Sequence, residues 1–143
     1  MDRGTKTVGI LIVVVAIAML VTACGEPKVV TPFKSVNVSA RLEPSSVQSG
    51  NSTLLIVDAR NNGTEDFTGT FEIIPEDPTV VIVEQRELAL PLLRQGDTAG
   101  EERYKVTGVT KTRSQDVLIT VKFKDEATNA TVGTTAVVLN VHK

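Results

Sequence analysis

The sequence predicts an all-β protein: one antiparallel β-sandwich of seven or eight strands that follows an N-terminal hydrophobic signal or anchor helix. Three observations support this fold class. Apolar and polar residues alternate with a period of two from residue 36 onwards, and Gly, Pro and Asn interrupt the alternation about every 10 to 15 positions. Aromatic residues make up only 3% of the 143 residues, whereas Thr and Val, whose β-branched side chains suit strands, are abundant.

Residues 1–23 have the three parts of an export signal. Arg3 and Lys6 precede an apolar run at positions 8–21, and small residues follow it. A membrane-spanning helix needs about 20 apolar residues and rarely fewer than about 17, so this run is short for a permanent span. We therefore expect residues 1–23 to be a signal peptide.

The signal ends in Val21, Thr22, Ala23 and Cys24, and Cys24 is the only cysteine of the chain. These four residues resemble the lipobox of prokaryotic lipoproteins. The resemblance implies that Cys24 carries a diacylglycerol, that a peptidase cuts just before it, and that it becomes the first mature residue. Because two or more acyl chains hold a protein on a membrane far longer than one does, we predict an extracytoplasmic protein anchored to the membrane or cell envelope through Cys24.

Two alternatives to lipidation remain open. The first is a spanning helix that happens to contain Cys24. The second starts from Arg3 and Gly4, which precede the apolar run and resemble the processing site of archaeal pilin-like signals, whose retained helix packs into a filament. Pro27 limits such a helix, since an internal proline costs about 3 kcal/mol. This alternative predicts a helix-anchored component of a pilus-like or archaellum-associated assembly.

The mature chain is expected to be a tether followed by one domain. Residues 24–35 contain Pro27 and Pro32 and show little periodicity, so we interpret them as the tether, and residues 36–143 as the domain. Without residues 1–23 the chain keeps 13 of its 15 basic and 16 of its 17 acidic side chains. This mildly acidic balance does not suit nucleic acid, which requires a basic surface, and without disulfides an apolar core must hold the fold.

The first four predicted strands occupy residues 36–42, 53–59, 67–73 and 79–84. The first two alternate apolar and polar residues, as strands with one solvent-facing side do. Asn61, Asn62 and Gly63 end the second strand in a turn that tolerates positive φ. Because residues 79–84 are nearly all apolar, we expect that strand at the centre of a sheet, covered on both faces.

Four further strands are predicted at residues 88–93, 102–106, 116–124 and 131–141. Pro91 interrupts the first of these, which suits an edge strand where no ladder donor is needed. The alternation is clearest in the third, where Val117, Ile119, Val121 and Phe123 share one side. Short strands bounded by turn residues, with no helical period after residue 24, are typical of a sandwich.

Two stretches resemble Ig-like modules of prokaryotic surface proteins: the bacterial, adhesion-related type called CARDB and its archaeal surface-layer relatives. The first stretch consists of Pro44, then Gly50 and an alternating strand that ends in Asn61 and Gly63; the second is the turn at residues 93–98. These patterns specify turns, so the resemblance implies an Ig-like fold over about residues 36–141 and leaves the ligand open. The acidic, Asn-rich stretch of the bacterial module is absent, which argues against a calcium site of that kind.

Four of the six asparagines stand in Asn-x-Ser/Thr sequences, the acceptor pattern for N-glycosylation. They are Asn37, Asn51, Asn62 and Asn129. All four fall on predicted solvent-facing positions or turns. We treat them as candidate glycosylation sites in a host with the required transferase; the alternative is a Thr-rich, solvated surface.

No catalytic, metal-binding or cofactor-binding residues are predicted. The acidic pairs at residues 76–77, 101–102 and 125–126 lack the Asp-x-Asp spacing of a calcium loop, and we interpret them as solvated charges that protect strand edges. The only histidine, His142, lies one residue from the end, where we expect a frayed terminus, and zinc lacks a ligand set.

The predicted function is therefore non-enzymatic. We expect a cell-envelope lipoprotein that takes no cofactor and presents one Ig-like domain at the cell surface. Its expected partners are the membrane, through the lipid anchor, and an envelope protein or glycan. The sequence leaves open the oligomeric state and the loops or strand edge that make contact.

Overall fold

The computed structural model describes residues 33–143, which form nine β-strands. The strands are β1 (Val36–Glu43), β2 (Ser46–Gln48), β3 (Ser52–Asn61), β4 (Phe67–Pro75), β5 (Val81–Val83), β6 (Glu87–Leu93), β7 (Thr98–Gly108), β8 (Gln115–Asp125) and β9 (Thr131–His142). Among these residues no helix has the length and apolarity to cross a membrane. The predicted signal peptide, the lipidation site Cys24 and most of the predicted tether lie outside the described residues.

The strands form two sheets that pack face to face. Sheet A has the order β1-β3-β7-β5 and sheet B the order β2-β9-β8-β4-β6. With β2 and β6 set aside, these orders match the A-B-E-D and G-F-C sheets of the immunoglobulin fold. The predicted all-β, Ig-like sandwich is therefore confirmed for the described residues.

The sandwich differs from the predicted one by an additional strand. β2 lies inside residues 44–50, which the sequence analysis interpreted as a break, and it pairs in parallel with β9. The chain leaves sheet A at the cis Glu43–Pro44 peptide bond and joins the edge of sheet B within three residues. A strand of three residues is too short to show a periodic pattern in the sequence. All other strand pairs of the two sheets are antiparallel.

The prediction of a central strand at residues 79–84 is wrong. Only β5 forms there, and it lies at the edge of sheet A, where it pairs with β7 alone. Val81 and Val83 point into the core, whereas Ile82 is 46% exposed. The N–H groups of Val80 and Val81 bond to the Asp77 carbonyl in a tight turn, so only three residues remain to reach β7.

The prediction that Pro91 marks an edge strand is confirmed. β6 is the last strand of sheet B, beyond β4. Its pairing with β4 shifts by one residue between Leu90 and Leu93, so Pro91 and Leu92 lie opposite Thr68 alone, in a bulge. Proline is tolerated there because a bulge on a free edge needs no N–H donor.

The core lies between the two sheets and consists of aliphatic side chains around one aromatic pair. The rings of Phe71 on β4 and Phe123 on β8 meet edge to face, with centroids 5.1 Å apart and planes at 75°. Gly69 leaves room for this pair, since a Cβ there would overlap the Phe123 ring and come within 2.6 Å of the Lys124 carbonyl oxygen. The predicted inward side of β8 is confirmed: Val117, Ile119, Val121 and Phe123 are all buried.

Tyr104 on β7 is a polar side chain among the inward-facing core residues. It is 4% exposed and belongs to the core cluster, and its hydroxyl group has no hydrogen-bond partner. Burial raises the pKa of the Tyr104 hydroxyl well above its usual value, with a smaller contribution from the Glu102 carboxylate. A buried donor without a partner costs about 1–3 kcal/mol of desolvation.

We predict that Tyr104→Phe leaves the free energy of unfolding unchanged or raises it by up to about 1 kcal/mol, because it removes a desolvated group that bonds to nothing. Urea unfolding at pH 7 measures the change. The raised pKa also predicts that the wild type loses stability above about pH 10, where the unfolded chain ionises Tyr104 first, and that the variant loses less. A loss of more than about 1 kcal/mol at pH 7 would show that the hydroxyl group has a stabilising partner.

Candidate interaction surfaces

The first described residues, 33–35, run along the β3–β4 turn and are held there by hydrogen bonds. Phe33 N–H donates to Thr64 Oγ1 at 3.0 Å, and Thr64 N–H donates to the Phe33 carbonyl at 2.9 Å. The Ser35 carbonyl accepts from the N–H groups of Asn62 and Gly63 at 2.9 and 3.1 Å. Residues 33–35, which the sequence analysis assigned to the tether, are thus bound to the domain.

Asn61, the buried last residue of β3, connects three segments at this end of the sandwich. Its Nδ2 donates to the carbonyls of Glu65 at 2.8 Å and Leu93 at 3.2 Å, and its Oδ1 accepts from Gly63 N–H at 2.9 Å. Its backbone carbonyl accepts from Gly96 N–H at 2.9 Å. Residues 61–63 of the first stretch that resembles prokaryotic Ig-like modules therefore meet the second stretch, residues 93–98, in space. Together with residues 33–35 they form what we call the N-terminal end.

The two glycines of this end have different physical roles. Gly96 has φ of +79°, which favours glycine in the β6–β7 turn. Gly63, in the predicted turn after β3, does not have positive φ. Instead, a Cβ at Gly63 would come within 2.5 Å of the Phe33 carbonyl oxygen and 2.8 Å of Ser35 N. Gly63 is thus required because residues 33–35 pass directly over it.

One buried ion pair completes the N-terminal end. Lys34 Nζ lies 2.9 Å from Asp125 Oδ2, which also accepts from Thr128 Oγ1 at 2.6 Å. The Asp125 side chain is 1% exposed, whereas Lys34 is 25% exposed. The Thr128 hydroxyl and the Lys34 ammonium hold the pKa of Asp125 below its usual value. The expectation that Asp125 is a solvated charge is wrong, because the alternation of β8 directs it inward, on the side of Phe123.

We predict that Lys34→Ala lowers the free energy of unfolding by about 1–3 kcal/mol, because it leaves the buried Asp125 carboxylate without its cation. Lys105→Ala is the matched control: its pair with Glu84 is more than half exposed on both sides, and such pairs contribute about 0–1 kcal/mol. Urea unfolding of both variants at pH 7 measures their free energies of unfolding. Equal losses in the two variants would contradict the conclusion that the Lys34–Asp125 pair stabilises the fold more than an exposed pair does.

The pH dependence of the same pair has a defined sign. The folded-state pKa of Asp125 is lowered. The contribution of its carboxylate to the free energy of unfolding is therefore complete above the unfolded-state pKa of about 4, and it is lost as the pH falls through the folded-state pKa. The stability difference between the wild type and Lys34→Ala should therefore narrow below about pH 4.

The outer face of sheet A is covered by a charged network. Arg41 donates to Glu43 at 2.8 Å and to Glu101 at 2.6 Å, and Arg103 lies 3.6 Å from Glu101. The Arg41 guanidinium lowers the pKa of Glu101. Ile56, which pairs with Arg41 on one side and Arg103 on the other, is only 1% exposed. The stems of Arg41 and Arg103 therefore cover Ile56.

The outer face of sheet B instead exposes apolar side chains, which we call the apolar patch. Ile74 is 36% exposed, Leu118 40% and Val138 46%. Leu118 and Val138 are directly paired across β8 and β9, and Ile74 is paired with Thr120, two residues along β8. These three side chains are therefore neighbours on the outer face of sheet B.

A polar cavity of about 330 Å³ lies at the opposite, distal end of the sandwich. It is lined by the β4–β5 and β7–β8 loops, including Asp77, Thr79, Lys111 and Gln115. Thr79 bonds to the Asp77 carboxylate through its hydroxyl and N–H groups and lowers the pKa of Asp77. Among residues 33–143, no cluster of His, Cys, Asp and Glu side chains suits a metal ion.

His142 is not at a frayed terminus, contrary to expectation. It is the last residue of β9, and its Nε2 lies 2.7 Å from Ser46 Oγ on β2. A serine and a histidine at this distance suggest a nucleophile and a base, but a catalytic pair also needs a group that orients the imidazole. No carboxylate in the described part of the chain bonds to His142, and the pair is exposed. The contact therefore serves to hold the parallel β2–β9 edge.

The four candidate glycosylation sites are all exposed. Asn37 lies on the outer face of sheet A, Asn51 in the β2–β3 turn, Asn62 in the β3–β4 turn, and Asn129, with φ of +57°, in the β8–β9 turn. Modification of these sites remains a prediction. Of the remaining acidic residues noted in the sequence, Glu76, Glu101 and Glu126 are exposed and Glu102 is half-buried.

Comparison with known proteins shows no family. No family model matches the sequence, and no curated protein matches it. Solved structures match in fold alone. The structure of Escherichia coli alpha-2-macroglobulin from domain MG7 to the C-terminus is 17% identical, with a TM-score of 0.58 over 76% of this chain. This chain spans only 17% of that protein chain.

Two smaller proteins match over nearly their whole length. A FixG-related protein from Vibrio parahaemolyticus is 12% identical, with a TM-score of 0.49 over 80% of this chain and 98% of that chain. The PapD-like domain 7 of human CEP192 is 14% identical, with a TM-score of 0.47 over 85% and 94%. At such identities and TM-scores the two matches assign no fold, ligand or partner to this chain.

Proposed function

We propose that this protein is a lipid-anchored, non-enzymatic module that presents one Ig-like sandwich for protein or glycan contact at the cell envelope. The observation that supports this most strongly is the series Val21, Thr22, Ala23 and Cys24 at the end of the apolar run. The Ig-like fold supports an interaction role, since such sandwiches offer loops, faces and edges for binding. The resemblance to CARDB and archaeal surface-layer modules fits the same role.

The geometry of the N-terminal end determines how an anchored domain would be presented. Because residues 33–35 are bonded to the domain, the tether in this proposal is the nine residues 24–32. Nine extended residues reach at most about 32 Å. The N-terminal end would therefore stay near the membrane, while the distal loops and both outer faces remain open to partners.

A helix-anchored component of a pilus-like or archaellum-associated assembly is the second candidate. Arg3 and Gly4 ahead of the apolar run favour it, because they resemble a pilin-type processing site. In that case the apolar run is retained, Cys24 stays a free thiol, and the same sandwich decorates a filament. Both candidate functions use the same sandwich and differ only in its anchor, which is a lipid on Cys24 in the first and a retained N-terminal helix in the second.

We predict that Cys24→Ser abolishes acylation and leaves the signal peptide uncut, because the thiol is the acceptor in the lipobox chemistry that the resemblance implies. Metabolic labelling with a fatty acid and intact-mass measurement of the wild type and the variant test this. The wild-type mass should correspond to a chain that begins at Cys24 and carries lipid, with any added sugar on the four asparagines seen as further mass.

Thr22→Ser is the matched control, since it keeps a small residue before the cut and should be processed normally. A wild-type mass that retains residues before Cys24 with an unmodified thiol would contradict the lipid anchor and favour the helix-anchored alternative.

A further inference from the structure

The apolar patch is flanked along β8 by two opposite charges. Lys122 lies towards the N-terminal end, Asp116 lies towards the distal end, and Ile119 is midway between them. The two residues are about 20 Å apart at roughly 3.3 Å per residue. Within the described residues neither takes part in an ion pair. Asp116 accepts one hydrogen bond from the Asn140 side chain, and its charge is otherwise uncompensated.

This arrangement is self-complementary under a two-fold axis that lies in the face, perpendicular to the strands, and crosses β8 at Ile119. Such an axis places Lys122 of one copy opposite Asp116 of the second, and the reverse, because each is three residues from Ile119. It also places Leu118 opposite Thr120 in the middle of the contact. Opposite charges across an interface favour this orientation and fix its register.

The other axis in the plane of the face is disfavoured by the same charges. A two-fold axis along β8 would place Lys122 opposite Lys122 and Asp116 opposite Asp116, and like charges in contact destabilise an interface. Sheets that pack face to face keep their strands within about 30° of each other, so the antiparallel arrangement is compatible with ordinary sheet packing.

We propose that the outer face of sheet B binds a second copy of this chain, with the strands of the two copies antiparallel. On the outer face of sheet A, Arg41 and Glu101 form an ion pair, as do Lys105 and Glu84, so these charges are already paired. The apolar patch, in contrast, has exposed aliphatic side chains between Asp116 and Lys122, neither of which is in an ion pair, since Glu72 beside Lys122 pairs with Lys124.

The contact is expected to be weak in solution. Three partly exposed aliphatic side chains bury far less than the roughly 800 Å² per partner of a standard interface. On a surface, however, the copies are concentrated and many contacts act together. The antiparallel orientation places the N-terminal ends of the two copies at opposite ends of the pair. If the protein is anchored as proposed above, the pair therefore links two facing surfaces.

Charge exchange tests the contact directly. Lys122→Asp and Asp116→Lys should each weaken self-association of the full chain about tenfold or more, because each places like charges opposite each other. The double variant should restore it, and an equimolar mixture of the two single variants should form a mixed pair. Sedimentation velocity in nonionic detergent, at protein concentrations up to about 1 mM, measures self-association of the wild type, the two single variants, the double variant and the mixture. Lys111→Asp, an equal charge change in an exposed distal loop, is the control and should have no effect.

The outcomes separate the parts of the proposal. A wild-type chain that stays monomeric throughout, or a double variant and mixture that fail to associate while circular dichroism shows folded protein, overturns the antiparallel contact. The bridging role is tested with phosphatidylcholine vesicles that carry the full chain: vesicles with Lys122→Asp should cluster with vesicles carrying Asp116→Lys, and neither population alone should do so. A chain that pairs in detergent and is bound to vesicles without clustering them overturns the bridging role alone.

Discussion

The structure depends on how closely side chains pack on the inner face of sheet B, where β4 and β8 are paired neighbours. The Phe71 and Phe123 rings meet edge to face at 5.1 Å, and Gly69 provides the space that the Phe123 ring fills. A chain with four phenylalanines, one tyrosine, no tryptophan and a single cysteine has few large groups and no disulfide with which to join two sheets. Its stability therefore rests on close packing, in which a single added methyl group is felt.

Close approach also explains the N-terminal end. Gly63 allows residues 33–35 to pass over the β3–β4 turn, and the buried Asp125 carboxylate holds Lys34 in place. The last residues before β1 thus become part of the domain. Because the chain enters the domain at a fixed point, the domain has a defined N-terminal end and a distal end. The proposed orientation of the anchored domain and the proposed antiparallel contact both depend on this difference between the two ends.

The regular part of the fold is predictable from the sequence, whereas its exceptions are not. Alternation identifies β1, β3, β8 and β9 because side chains on a strand change face at every residue. The position of β5 is not predictable in this way, since an apolar run looks the same in a central strand and in a short edge strand beside a buried turn. β2 is too short to show any period.

The N-terminal end and the charged outer face of sheet B were predictable only in part, because they depend on residues that are far apart in the sequence. Asn61 and Gly63 are visible as a turn signal, but the partners that explain them, Leu93 and Phe33, are 32 and 30 residues away in the sequence. The burial of Asp125 and the uncompensated charges of Lys122 and Asp116 depend on which side chains other strands bring near them. The proposed anchor at Cys24, in contrast, rests on a purely local sequence signal.

A comparison of two glycine substitutions tests the central packing constraint most directly. Gly69 and Gly100 both lie in strands and neither has positive φ, but a Cβ at Gly100 meets nothing within 4 Å. Urea unfolding should show that Gly69→Ala lowers the free energy of unfolding by about 2–3 kcal/mol, while Gly100→Ala leaves it unchanged or raises it by up to about 1 kcal/mol. Equal effects of the two substitutions would contradict the claim that the close packing of the Phe123 ring on Gly69 stabilises the sandwich.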